Sequence, residues 1–125
     1  MRSQVFSADA PAPLGPYSQA IVSGSLVFCS GTLGIDPTTG IAPESVAAQT
    51  EQALRNLARI LSESGSSMQQ LVKTTIYYVR AEDFAAINEV YARHMPDPPP
   101  ARSAVPCPVL PKGLLFCIDA IATLS

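Results

Sequence analysis

Between Ser45 and Ser64 the apolar residues Val46, Ala53, Leu54, Leu57, Ile60 and Leu61 return every three or four positions, with mostly polar residues between them. That period marks one apolar stripe on a long helix. Ser45 offers the side-chain oxygen that an N-cap needs, and Gly65 the residue that ends helices in a left-handed conformation. A second helix is predicted from Glu82 to His94, with Phe84, Ile87, Val90 and Tyr91 inward. Asn88 falls on the same face as Phe84 and Tyr91, so a polar amide is carried toward an apolar surface and needs a partner there.

Elsewhere the pattern belongs to strands. Ala20-Ile21-Val22, the glycine turn Ser23-Gly24-Ser25 and Leu26-Val27-Phe28-Cys29-Ser30 form a hairpin pattern, followed by a second turn at Asp36-Pro37-Thr38-Thr39-Gly40. Val72 to Val79, rich in β-branched and aromatic residues, predicts a central strand. After Pro96, Pro98, Pro99 and Pro100 come a short strand over Arg102–Val105, a turn at Leu110-Pro111-Lys112-Gly113 and a final strand over Leu114–Leu124. This order predicts an α+β fold, with two helices on one face of a mixed sheet. Period two puts Arg102 and Ala104 on one side of their strand, and Cys117 and Asp119 on one side of theirs, so the two pairs are expected to converge. The sheet face without helices is the natural oligomer interface.

The 125 residues make one domain, 1–125, long enough for a core without staples. Charged residues are 14% of the chain, against about 25% in an average soluble domain. A surface so short of polar cover favours a closed homo-oligomer. The net charge of −2 and the absence of any basic run argue against nucleic acid as a partner. Three cysteines, Cys29, Cys107 and Cys117, without CxxC spacing point to neither a disulfide framework nor a zinc site, and fit a reducing compartment. No stretch reaches the roughly 18 uninterrupted apolar residues of a membrane span, and neither a signal h-region nor an Arg-rich transit pattern is seen. A soluble, cytoplasmic protein with no membrane partner is expected.

Arg102 carries the most chemical information. The prolines before it fix φ and restrain their neighbours, so the approach is extended and aimed. A guanidinium delivered into an apolar, charge-poor stretch offers a planar fork that fits a carboxylate in two hydrogen bonds. His94, the one histidine, sits at the end of the second helix, where a cation interacts favourably with the helix dipole.

With these residues in place the chain resembles the YjgF/RidA family over nearly its whole length. The resemblance is carried by Gly15-Pro16-Tyr17-Ser18-Gln19-Ala20, Cys29-Ser30-Gly31, Gln49 through Asn56, Val72-Lys73-Thr74-Thr75, Asp83-Phe84 with Asn88 and Tyr91, Pro100-Ala101-Arg102-Ser103, and Leu110-Pro111-Lys112-Gly113. It implies a chorismate-mutase-like α+β fold and a homotrimer whose sheets form an inner barrel, with clefts between subunits. It also implies hydrolysis of 2-iminobutanoate and 2-iminopropanoate to 2-oxo acids and ammonia, without metal or organic cofactor. Arg102 stands at the family's substrate-carboxylate clamp, while Tyr17, Ser30, Gly31 and Asn88 match positions that line the cleft or hold its shape. Each also has a purely structural reading: Tyr17 anchoring a turn, Ser30 in a strand ladder, Asn88 bracing the proline loop.

Two departures stand out. Where many members have a cysteine two residues after the clamp, this chain has Ala104, which still contributes its backbone groups to the cleft. The glutamate thought to position the attacking water corresponds to Cys117, and a thiol is a poor hydrogen-bond partner that cannot imitate a carboxylate. Asp119 lies two residues along, roughly 6.6 Å away at about 3.3 Å per residue, too far to substitute without a relay. Cys117 is then either a catalytic residue of another kind or a buried, inert thiol. Three functions follow: a trimeric imine deaminase, a trimer that binds a 2-oxo acid or other small carboxylate with little turnover, and, less favoured by the charge balance, an endoribonuclease.

Overall fold

The computed structural model describes residues 1–124. Six strands, β1 (Arg2–Val5), β2 (Ala20–Ser23), β3 (Leu26–Leu33), β4 (Leu71–Tyr78), β5 (Ala101–Pro106) and β6 (Phe116–Thr123), form one sheet in the order β1-β2-β3-β6-β4-β5. All neighbours are antiparallel except β4 and β5, which the helix α2 (Phe84–His94) joins as a crossover between parallel strands. With α1 (Val46–Glu63), this makes two helices packed on one face of a mixed sheet, as the hydrophobic pattern predicts.

α1 begins and ends where its sequence signals lie. Ser45 Oγ accepts from the Ala48 N–H, and Gly65, at φ +85°, closes the helix with its own N–H on Ser62 and that of Ser66 on Leu61. These two bonds satisfy carbonyls the last turn would leave open. Ala53, Leu54, Leu57, Ile60 and Leu61 are buried against Val27, Ile76, Phe116, Ile118, Ala120 and Ala122 of the sheet. Ile87, Val90 and Tyr91 of α2 complete that core.

The differences from expectation have local causes. β1 is a strand that the polar run Arg2-Ser3-Gln4 hides, since only Val5 is buried; pairing with β2 makes it one. α2 starts at Phe84 because Asp83 is held in a preceding 3₁₀ turn by two hydrogen bonds from Arg80, at 2.8 and 3.2 Å. The last strand starts at Phe116, not Leu114, because the Leu115 N–H goes to Gln49 Oε1.

That last bond belongs to a polar clamp between α1 and the end of β3. Gln49 also donates to the Pro43 carbonyl, and the fully buried Asn56 donates to the Leu33 and Ile35 carbonyls, both at 2.9 Å. Gly34, between those two carbonyls, lies against the α1 backbone so closely that a Cβ there would collide with the Gln49 carbonyl. On the far side of α1, Glu51 meets His94 Nε2 at 2.8 Å and ties the two helices together. No helix among the described residues is long and apolar enough to cross a membrane.

Two outcomes follow. Gly34→Ala is expected to cost about 2–3 kcal/mol, read as a lower denaturation midpoint; an unchanged midpoint would mean that α1 lifts freely off β3. The hydrogen bond from His94, more than that from Arg55, holds the Glu51 carboxyl below its ordinary value of 4.5. Its contribution is therefore present above that value and lost as pH falls through the lower folded one. Glu51→Gln should remove that part of the acid-side loss in a stability-versus-pH series.

Candidate functional site

Arg102 lies on β5 at the sheet edge, in register with Thr74 of β4, which puts both side chains on the helix side. Its Nη1 donates to Asn88 Oδ1 at 2.7 Å, so the amide that α2 carries inward has its partner. The guanidinium carbon sits 4.9 Å from the Tyr91 ring centroid and 5.7 Å from that of Phe84. Tyr91 in turn is fixed from below, its hydroxyl 2.6 Å from Thr74 Oγ1 in the buried core. The cation thus lies on an aromatic platform, an arrangement worth about 0.5–1 kcal/mol where solvent reaches it. It makes no ion pair among the described residues. With one edge spent on Asn88, donors remain free to grip an anion. Ala104 shares this face, partly buried on the core, and brings no polar side chain. Met95, Pro96, Asp97, Pro99 and Pro100 wall an open cleft of about 550 Å³ in front of Arg102.

Tyr17, Ser30, Gly31 and Cys117 gather in a second recess, of about 510 Å³. A bulge shapes it: Cys29 pairs with Ala120 and Thr32 with Ile118, so Ser30 and Gly31 together stand opposite Asp119. The extra residue breaks the period of two and re-aims the strand at this point. Ser30 is pinned on both sides, its N–H on the Gln19 carbonyl at 3.0 Å and its Oγ–H on the Ser18 carbonyl at 2.6 Å. Tyr17 is 44% exposed, and its hydroxyl oxygen accepts the Leu14 N–H at 3.0 Å. The hydroxyl proton of Tyr17 and the lone pairs of Ser30 Oγ therefore remain available to a ligand.

Cys117 is buried, with its sulfur 3.0 Å from where a Cβ on Gly31 would lie. A side chain there would have to push the sulfur aside by a few tenths of an ångström. Burial, with Asp119 adding to it, pushes the thiol from 9.0 up to about 12. A thiol raised this far is protonated at physiological pH. Asp119 does not replace it, because it accepts the Tyr77 hydroxyl at 2.9 Å, and that bond is also the main reason the phenol's pKa is raised.

The two expected pairs do not converge within one chain. Cys117 is in register with Tyr77, on the face away from the helices, whereas Arg102 is in register with Thr74, on the face toward them. His94 belongs to neither recess and serves the Glu51 brace. The platform under Arg102 was readable in the sequence only as core, although Phe84 and Tyr91 stand seven residues apart on one helix face. The buried Gln19, which binds the Ser7 and Pro11 segments and so frames the Tyr17 loop, gave no such signal. Among the described residues no group of three or more His, Cys, Asp or Glu side chains assembles.

Residues 7–124 match the family described as endoribonuclease L-PSP. The chain belongs to this family, which includes the YjgF/RidA proteins. It is 48% identical over 126 residues to the chloroplastic Reactive Intermediate Deaminase A of Arabidopsis thaliana, a match covering 99% of this chain and 67% of that protein. It is 38% identical to the 2-iminobutanoate/2-iminopropanoate deaminase of Rattus norvegicus, over 98% of this chain and 90% of the other. Among solved structures, E. coli TdcF with bound serine superposes with a TM-score of 0.93 at 36% identity, covering 98% of this chain and 99% of that one.

The burial of Cys117 is open to a direct test. Its roughly thousandfold smaller thiolate population, 12 against 9, should make it resist iodoacetamide in the folded protein at neutral pH and react once denaturant is added. Mass spectrometry of the peptides reads this, and labelling of folded Cys117 at the denatured rate would contradict the geometry.

Proposed function

We propose that this protein is an enzyme that hydrolyses small 2-imino acids to 2-oxo acids and ammonia, with Arg102 as the carboxylate clamp. The observation that carries this reading is the guanidinium itself, stacked on Tyr91, held by Asn88 and without a carboxylate partner among the described residues. The relatives named reactive intermediate deaminase and 2-iminobutanoate/2-iminopropanoate deaminase support the reaction, and TdcF, with bound serine, supports the size of ligand.

Each chain presents one grip and one polar-edged recess, on opposite faces of its sheet, and neither is complete alone. A homotrimer built on the helix-free sheet faces, with the recess of one copy facing the Arg102 of the next, supplies three whole sites. In such a site Arg102 takes the substrate carboxylate and sets C2 of the imine against the Ser30–Gly31 bulge. Water adds to C2, the proton it gives up goes to nitrogen, and the resulting carbinolamine expels ammonia to leave the 2-oxo acid. Tyr17 donates a hydrogen bond and Ser30 accepts one, which orients the imine nitrogen and the water. Cys117 contributes a neutral wall, and Gly31 and Ala104 contribute backbone and space.

The buried, protonated Cys117 favours one second reading, in which the same clefts bind a 2-oxo acid or similar carboxylate with little turnover. RNA cleavage has no support in the site, since Arg102 is the one cation in either recess and phosphate binding needs clustered positive charge.

The deciding experiment generates 2-iminobutanoate in situ with threonine dehydratase and traps it with semicarbazide. Wild type should outcompete the trap, and Arg102→Ala should lose roughly a hundredfold in kcat/KM, the value of charge-assisted hydrogen bonds to one carboxylate. If neither protein outcompetes the trap while 2-oxobutanoate still binds, the second reading holds.

A further inference from the structure

The recess beside Cys117 carries no charge. Its walls are hydrocarbon from Leu14, Pro16, Leu33 and Pro111, and its two hydroxyls, on Tyr17 and Ser30, are neutral and each already makes one hydrogen bond within the chain. Ser30 spends its proton on Ser18, and Tyr17 spends an acceptor site on Leu14. The nearest carboxylate along the strand, Asp119, is bonded to Tyr77. Leu14 stands at the rim 53% exposed, apolar surface left facing an opening.

We propose that this recess is a side-chain subsite, and that it selects 2-imino acids with medium-sized apolar side chains over both the smallest ones and the acidic ones. The inference rests on the reading above, in which the carboxylate is held by Arg102 and the reacting carbon lies at the Ser30–Gly31 bulge. With those two points fixed, the side chain extends along the neutral, carbon-lined surface that Leu14, Pro16, Leu33 and Pro111 present beside the bulge. An apolar group gains there by leaving water, roughly fourfold in affinity for each methylene buried. A carboxylate side chain would instead lose its hydration without any cation to receive it. Cys117 is the determinant at the inner end. Its sulfur is drawn in against Gly31, which leaves the floor short and uncharged, and the thiol stays neutral over the whole physiological range.

The test compares imines produced by amino-acid oxidases from leucine, alanine and glutamate, each against the semicarbazide trap. Calorimetric binding of 4-methyl-2-oxopentanoate, pyruvate and 2-oxoglutarate runs in parallel. The leucine-derived imine should be consumed at least tenfold more efficiently than the alanine-derived one, with the glutamate-derived imine slowest, and the 2-oxo acids should bind in the same order. Cys117→Glu should erase most of the preference for leucine over alanine. Because a buried glutamate can unfold the chain, Leu14→Glu at the exposed rim is the second variant, and it should cut the preference severalfold in a protein of unchanged stability. Equal rates for the three imines, a lead for the alanine- or glutamate-derived one, or a preference untouched by Leu14→Glu would overturn the subsite. If no imine is consumed, the deaminase reading fails on its own. The binding order of the 2-oxo acids then still decides the subsite: the same order upholds it as a ligand site, and a flat or reversed order removes it.

Discussion

The contact between the α1 backbone and Gly34 is the constraint on which the rest of the structure depends. Helix and strand approach here with no side chain between them, and the carbonyls on either side of Gly34 would be stranded in the core without the Asn56 amide. Gln49 extends the same clamp to Pro43 and to the start of β6. Buried amides of this kind are costly when unpaired and directional when paired. They set where β3 ends and β6 begins, and those two strand segments carry Ser30, Gly31 and Cys117.

The other recess is built by a different device. The parallel crossover from β4 through α2 to β5 stacks a strand edge beneath a helix, and Arg102 fills the gap between them. One recess therefore depends on hydrogen-bonded amides and a bulge, the other on aromatic packing. The two lie on opposite faces of one sheet, so one chain by itself does not bring Arg102 and the Ser30–Gly31 bulge together.

Much of this was legible beforehand. The stripe from Val46 to Leu61 and its Ser45 and Gly65 boundaries gave α1 almost to the residue, because local capping and helical period are properties of the chain alone. β1 was not legible, since Arg2-Ser3-Gln4 becomes a strand only through pairing with β2. Period two correctly coupled Arg102 with Ala104 and Cys117 with Asp119, but which face each pair takes is a matter of register, fixed by Thr74 and Tyr77 on the strand between them. The bulge at Ser30–Gly31 escaped for the same reason, being defined by its partner strand. Tyr91 looked like any core aromatic, because nothing in a helical pattern shows that a cation from a distant strand will lie on its ring.

The bond between Tyr91 and Thr74 has a consequence for the entropy of binding. A free arginine side chain explores many rotamers, and freezing them costs roughly 2 kcal/mol. Here the ring beneath the guanidinium is bolted to β4, the strand next to its own, and Asn88 closes the remaining swing. Much of that ordering is completed during folding, so a ligand arriving at Arg102 meets a group that has already given up its freedom.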